Sequence, residues 1–144
     1  MISTKGRYAL RVMIDIAVHS DERYISLKDI SARQGISVKY LEQVIALMNR
    51  AGFLYSLRGN NGGYKLARHP GEYTAGDILR AAEGTLAPIA CLKSYPNQCD
   101  RREKCITLSF WEKYYRIIND YVDSVTLEEL ADHAKAMMEN NDSL

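Results

Sequence analysis

A chain of 144 residues, 47% hydrophobic and 26% charged, has an ordinary globular composition and enough length for one domain with an appendage, which excludes wholesale disorder. No apolar run reaches the ~18 residues of a membrane span and no signal-peptide pattern opens the chain, so a cytoplasmic protein without membrane attachment is expected. The formal net charge of +1 would exclude a polyanionic partner only if charge were evenly spread, and it is not. Residues 1–68 hold 11 Lys/Arg against 5 Asp/Glu, or +6; residues 69–144 hold 8 against 13, or −5. Such asymmetry points to nucleic-acid binding by the basic half.

In chain order, Ala9, Val12, Met13, Ile16 and Ala17 follow a 3.6-residue period and predict a helix over about 4–20. Ser26 and Asp29 form a capping pattern that opens a short helix through Gln34, ended by Gly35. Ser37 then caps a longer helix to about Arg50, stopped by Gly52. Two helices joined by a short Gly-containing turn make a helix-turn-helix. Residues 53–57 and 64–66 read as strands around Arg58-Gly59-Asn60-Asn61-Gly62-Gly63, a hairpin signal, so the whole reads as a winged helix. Thr74 and Asp77 open a further helix to Glu83, ended by Gly84, and residues 86–104, with Pro88 and Pro96, read as loop.

A long helix follows over 107–124. Its residues Leu108, Trp111, Tyr115, Ile118, Val122 and Val125 are spaced 3, 4, 3, 4, 3, the a/d pattern of a helix that pairs with another. Tyr114, Ile117 and Tyr121 widen that seam, and Thr126 with Glu129 opens a last helix. The expected fold is therefore mainly α: a winged helix-turn-helix with a long C-terminal dimerisation helix. Its parts are a DNA-binding domain (1–84), a cysteine-containing sensor loop (85–106), and the dimerisation helix with the C-terminal helix (107–144).

On the second helix of the helix-turn-helix, Leu41, Val44, Ile45 and Met48 share one face and Lys39, Glu42, Gln43 and Ala46 the other. In this motif the second helix enters the major groove. There Gln can pair with adenine, Lys can reach guanine and Glu can accept from cytosine N4. A merely solvated polar face is the plain alternative; the caps, the Gly turn and the basic half favour DNA. Arg58 stands where the wing tip begins and can enter a minor groove or clamp phosphate, and Lys5, Arg7 and Arg11 can add phosphate contacts. An enzyme is not expected: there is no Ser-His-Asp order, nucleotide-binding Gly loop or paired-carboxylate site.

The three cysteines follow the pattern Cys91-x7-Cys99-x5-Cys105. An odd count argues against a secreted disulfide framework, and the spacing lacks the C-x2-C knuckles of common zinc sites. Iron–sulfur ligation, thiol redox sensing, zinc and inert thiols all remain open on spacing alone.

Taken together these pieces resemble the Rrf2 family of bacterial winged-helix transcriptional regulators (IscR/NsrR/CymR-like), in its three-cysteine branch, over nearly the whole chain. The residues that carry the resemblance are Ser-Thr-Lys-Gly-Arg-Tyr-Ala-Leu at 3–10, Lys39-Tyr40-Leu41-Glu42-Gln43, Arg58-Gly59-x-x-Gly62-Gly63-Tyr64, Thr-Ala-Gly-Asp-Ile at 74–78, and the cysteine loop. The resemblance implies a homodimeric regulator, a repressor, bound to double-stranded promoter DNA. Lys39, Glu42 and Gln43 would read bases, Arg58 would enter the minor groove, and Tyr40, Gly59, Lys5 and Arg7 would complete the DNA-facing set. It also implies an iron–sulfur cluster on Cys91, Cys99 and Cys105, [2Fe–2S] first and [4Fe–4S] second, that senses iron–sulfur, redox or sulfur status. The genes controlled would be those for iron–sulfur assembly or cysteine metabolism. The alternative is a cluster-free thiol switch, or a CymR-like regulator controlled by a protein partner. Positions that supply a fourth ligand elsewhere in the family are Leu108, Arg7 and Arg11 here, so the fourth ligand stays unassigned. His19, His69 and His133 are read as surface or capping residues.

Overall fold

Helix α1 (Thr4–His19) buries the apolar stripe that its period announces, with Ala9, Val12, Met13 and Ile16 fully enclosed, in a computed structural model that describes residues 1–21 and 23–142. Helix α2 (Leu27–Gln34) starts where the Ser26 hydroxyl accepts from the Asp29 N–H at 3.1 Å. It ends at Gly35, whose N–H donates to Ser31 O at 2.9 Å. Helix α3 (Val38–Arg50) starts with the Ser37 hydroxyl on the Tyr40 N–H at 3.2 Å and buries Leu41, Val44, Ile45 and Met48. Each cap satisfies a donor that the first turn would otherwise leave unpaired, which is why both helices begin where they do.

Strands β1 (Leu54–Leu57) and β2 (Gly63–Leu66) pair antiparallel, Leu54 opposite Leu66 and Leu57 opposite Gly63, with the Gly/Asn run as the tip. Tyr64 and Ile25 exchange both backbone hydrogen bonds at 2.8 Å and tie the wing to the segment before α2. The result is the winged helix read from the sequence.

Tyr73 is the pillar between the wing and the C-terminal elements. A 3₁₀ turn (Pro70–Glu72), boxed by His69 and Glu72, delivers it fully buried. Its hydroxyl donates to Phe53 O at 2.7 Å and accepts from the Arg68 N–H at 3.0 Å, and the Arg68 guanidinium lies 4.8 Å over its ring. Its carbonyl accepts from the Leu127 N–H at 2.9 Å. Tyr73→Phe is expected to cost about 1–2 kcal/mol, because the Arg68 N–H loses its acceptor while the ring keeps its packing. Urea unfolding of the two proteins checks it; an unchanged midpoint would remove the hydroxyl from the account.

Helix α4 (Ala75–Glu83) opens with the full Thr74/Asp77 capping box. Gly76 in its first turn lets α5 (Leu108–Ser124) lie close across it, since a Cβ there would collide with Val122 and Asp123. Arg80 then grips α5, forking onto Asp123 at 2.7 and 2.9 Å and donating to Asn119 at 2.9 Å. That guanidinium holds the Asp123 carboxyl below the ordinary carboxylate range. Helix α6 (Leu127–Asp142) turns back onto α1; Leu127 joins the same core and Ala131 is buried one turn on. Among the described residues no helix is long and apolar enough to cross a membrane.

No residue of α5 is fully buried. The seam expected to meet a partner is half-buried instead: Trp111, Tyr115, Ile118 and Val122 lie at intermediate exposure on the side that faces α4 and Leu86. The chain's own α4 competes for that face. The adjacent row Phe110, Tyr114, Ile117 and Tyr121, spaced 4, 3, 4, is left exposed at 61%, 44%, 57% and 68%. It is the heptad face open to a second helix.

Candidate nucleic-acid interface

Helix α3 divides cleanly. Its inner residues are buried, and Lys39, Glu42, Gln43 and Ala46 are exposed on the opposite side. Tyr40 differs from its expected neighbours in being half-buried, edge-on against Tyr8 of α1 with ring centroids 5.4 Å apart. That contact sets α1 beside the start of α3. Lys5, three residues before Tyr8, and Arg7, four before Arg11, are both exposed, and being two residues apart they stand on different sides of α1. Arg58 and Gly59 are exposed at the tip of the hairpin that follows α3.

Arg11, expected to add a phosphate contact, has partners within the chain. Its guanidinium sits 5.3 Å over the Tyr8 ring and donates to the Gln34 side chain at 3.2 Å and to the Gln34 carbonyl. The physical reason is distance along the chain: Gln34 comes beside α1 only when α2 folds back.

A second cluster escaped sequence reasoning altogether. Asp15, 2% exposed, receives a fork from Arg33 at 3.0 and 2.7 Å and a further bond from the Gln34 amide at 2.8 Å. His19 donates from Nδ1 to the Asp15 carbonyl at 2.9 Å. Hydrogen bonding to Asp15 holds the Arg33 guanidinium above its ordinary pKa. A buried carboxylate paired in this way locks α1 to α2 at one angle, and α2 in turn presents α3. The signal was present: Asp15 occupies a position of α1 next to Val12 and Ile16 on the core side, where a lone charge needs a partner.

The cysteine segment between α4 and α5 carries one 3₁₀ turn (Ala90–Leu92) and no other regular element. Cys91 lies in that turn. The Cys99 N–H donates to Asn97 Oδ1 at 2.8 Å, and its carbonyl accepts from Arg102 at 3.1 Å. Cys105 is exposed, 3.6 Å from the Thr107 hydroxyl, and the Thr107 side chain with nearby backbone amides holds its thiol below the ordinary range. All three are free thiols. Among the described residues no three His, Cys, Asp or Glu side chains gather closely enough to hold a metal ion. His69 caps its turn and His19 serves Asp15, as the capping reading of these histidines expected. In donor type the set fits an iron–sulfur cluster, three soft thiols on one irregular segment; the segment would have to close to bring them together.

Residues 2–133 match a family described as "Rrf2: Iron-dependent Transcriptional regulator". The chain is 37% identical over 139 residues to protein rrf2 of Nitratidesulfovibrio vulgaris (strain Hildenborough), covering 96% of this chain and 92% of that protein. Its fold is similar to the structure of CymR (YrzC), the global cysteine regulator of B. subtilis. The TM-score is 0.76 at 37% identity, with 92% of this chain and 97% of that one covered. It is also similar to T. potens IscR, with a TM-score of 0.74 at 40% identity, covering 93% and 88%.

Proposed function

Because the chain belongs to the Rrf2 family of transcriptional regulators, and is no enzyme, we propose that it is a homodimeric repressor of promoter DNA governed by its three-cysteine segment. The observation that carries the DNA reading is α3. It is capped at Ser37, wholly buried on one face, and presents Lys39, Glu42 and Gln43 on the other near its N-terminal end. These three read base edges in the major groove. Tyr40, braced on Tyr8, keeps the start of that helix in place. Lys5 and Arg7 contact phosphate, and Arg58 with Gly59 carries the wing to the minor groove. The exposed row of α5 pairs with its copy in the partner and sets the spacing of the two α3 helices.

Cys91, Cys99 and Cys105 would hold the iron–sulfur cluster, [2Fe–2S] or [4Fe–4S], which when bound supplies a group sensitive to iron, sulfur and redox supply. The chain's own part is positional. Cys105 lies two residues before the Thr107 cap of α5, so a change in how the thiols are held is passed to the start of the pairing helix. The genes served would be those of iron–sulfur assembly or cysteine metabolism. A cluster-free thiol switch is favoured by one observation, that the thiols lie ungathered with Cys105 exposed.

Anaerobic purification with an absorption spectrum and iron and sulfide analysis separates the two readings. The first expects colour, iron and sulfide that Cys99→Ser abolishes while the dimer persists, and a DNA affinity that differs between loaded and stripped protein. Iron retained by Cys99→Ser overturns the ligand assignment. Absence of iron and sulfide, with affinity changed by thiol oxidation, leaves the switch. DNA binding itself is checked by salt, since counterion release gives a steep log–log slope.

A further inference from the structure

The first turn of α1 is capped from outside its own segment. Ser3 stands at the N-cap position, but its hydroxyl makes no cap hydrogen bond to the helix. It donates instead to Glu83 Oε1 at 2.6 Å, and the same oxygen accepts the N–H groups of Ser3 at 2.8 Å and Gly6 at 3.0 Å. Gly6 is the N3 residue, the donor that a capping hydroxyl ordinarily serves. Glu83 lies 77 residues further along, at the end of α4. The approach is close: a Cβ at position 6 would stand 2.5 Å from Glu83 Oε1 and would push the carboxylate out of its place. The first turn of α1 has no acidic residue of its own, so Glu83 is the charge that meets the positive end of the helix dipole. Burial pushes the Glu83 carboxyl up, but the Ser3 hydroxyl and the Ser3 and Gly6 amides more than offset it and hold it below the ordinary range.

The turn held in this way carries Lys5 and leads directly into Arg7. We propose that Glu83 is a positioning residue for DNA binding: its carboxylate fixes the first turn of α1 where Lys5 and Arg7 reach the phosphate backbone. This rests on the reading above that Lys5 and Arg7 contact phosphate. Without the carboxylate, three donors return to water, the turn frays, and both cations must be ordered again on each binding event. One turn earlier on α4, Arg80 grips Asp123 of α5, so the start of α1 is held in register with the pairing helix through the same short helix.

The test is anisotropy titration of a fluorescein-labelled duplex, selected by the wild-type protein from random-sequence DNA, across about 50 to 300 mM salt. Folding of every variant is checked by circular dichroism. Glu83→Ala is expected to lower affinity about tenfold and to reduce the log–log salt slope by about one, the signature of a lost phosphate contact. Glu83→Gln, which keeps an acceptor oxygen at that place, stays within about threefold of wild type, and Ser3→Ala falls between the two. Lys5→Ala with Arg7→Ala reproduces the slope change, and adding Glu83→Ala to that pair causes no further loss. Wild-type binding by folded Glu83→Ala, a loss with unchanged slope, or a loss fully additive with the Lys5/Arg7 pair overturns the proposal. Wild-type binding by the Lys5/Arg7 pair itself overturns the phosphate reading first and the proposal with it, a result distinct from the others.

Discussion

Ile117→Glu is expected to turn the proposed dimer into monomers and to lower affinity for a two-half-site operator by about two to three orders of magnitude. Ile117 lies in the middle of the exposed row of α5, between Tyr114 and Tyr121, and is 57% exposed in the single chain. In a two-fold pairing of this helix with its copy the substitution is made twice, close to the symmetry axis. Each protomer loses an apolar side chain and places a carboxylate where no cation of the row can answer it, a cost of several kcal/mol per interface. DNA affinity follows because the second half-site is bound intramolecularly only while the protomers are joined. Sedimentation equilibrium reads the mass, and anisotropy with one- and two-half-site duplexes reads the rest. The monomer should bind both duplexes alike. A variant that remains dimeric would return the pairing role to the half-buried seam of Trp111, Ile118 and Val122.

Asp15→Ala is expected to cost about 3 kcal/mol, the largest effect of any single polar deletion in the helix-turn-helix. The carboxylate is the acceptor for both Arg33 donors and for the Gln34 amide, and it is 2% exposed. Arg33 is about a third exposed and can turn to water, which keeps the cost below that of stranding a fully buried cation. Asp15→Asn should lose less, since one oxygen remains to accept from Gln34. The loss should largely persist at about 1 M salt because the Asp15 carboxylate is itself enclosed and screened little by ions. The half-exposed Arg80–Asp123 pair, by contrast, should contribute under about 1 kcal/mol and weaken with salt. Urea unfolding at two salt concentrations measures both. A cost for Asp15→Ala below about 1 kcal/mol would leave the angle between α1 and α2 to apolar packing alone.

The helices and the wing were legible because their ends are written locally. Ser26, Ser37 and Thr74 each cap the helix expected of them, within three residues of the amide they accept from. The two faces of α3 were legible because the 3.6-residue period puts Leu41, Val44, Ile45 and Met48 inside and leaves Lys39, Glu42 and Gln43 outside. The bond of Arg11 to Gln34 was not legible because Gln34 belongs to another helix. The exposure of the two apolar rows of α5 was not legible, because both run side by side along one helix. Periodicity cannot say which of them the chain keeps for itself.

The sequence by itself determined the family, the winged helix, the outward polar face of α3 and the cysteine segment, since each rests on residue types within one or two turns of one another. Only the tertiary structure decided which row of α5 is left open, that Arg11 is bonded to Gln34, that Asp15 is the buried lock between α1 and α2, and that Glu83 caps α1 from 77 residues away. Those features depend on which elements come to lie side by side. A hydrogen bond or an apolar contact acts only over a few ångströms, and residues far apart in the chain meet at that range only after the fold has formed.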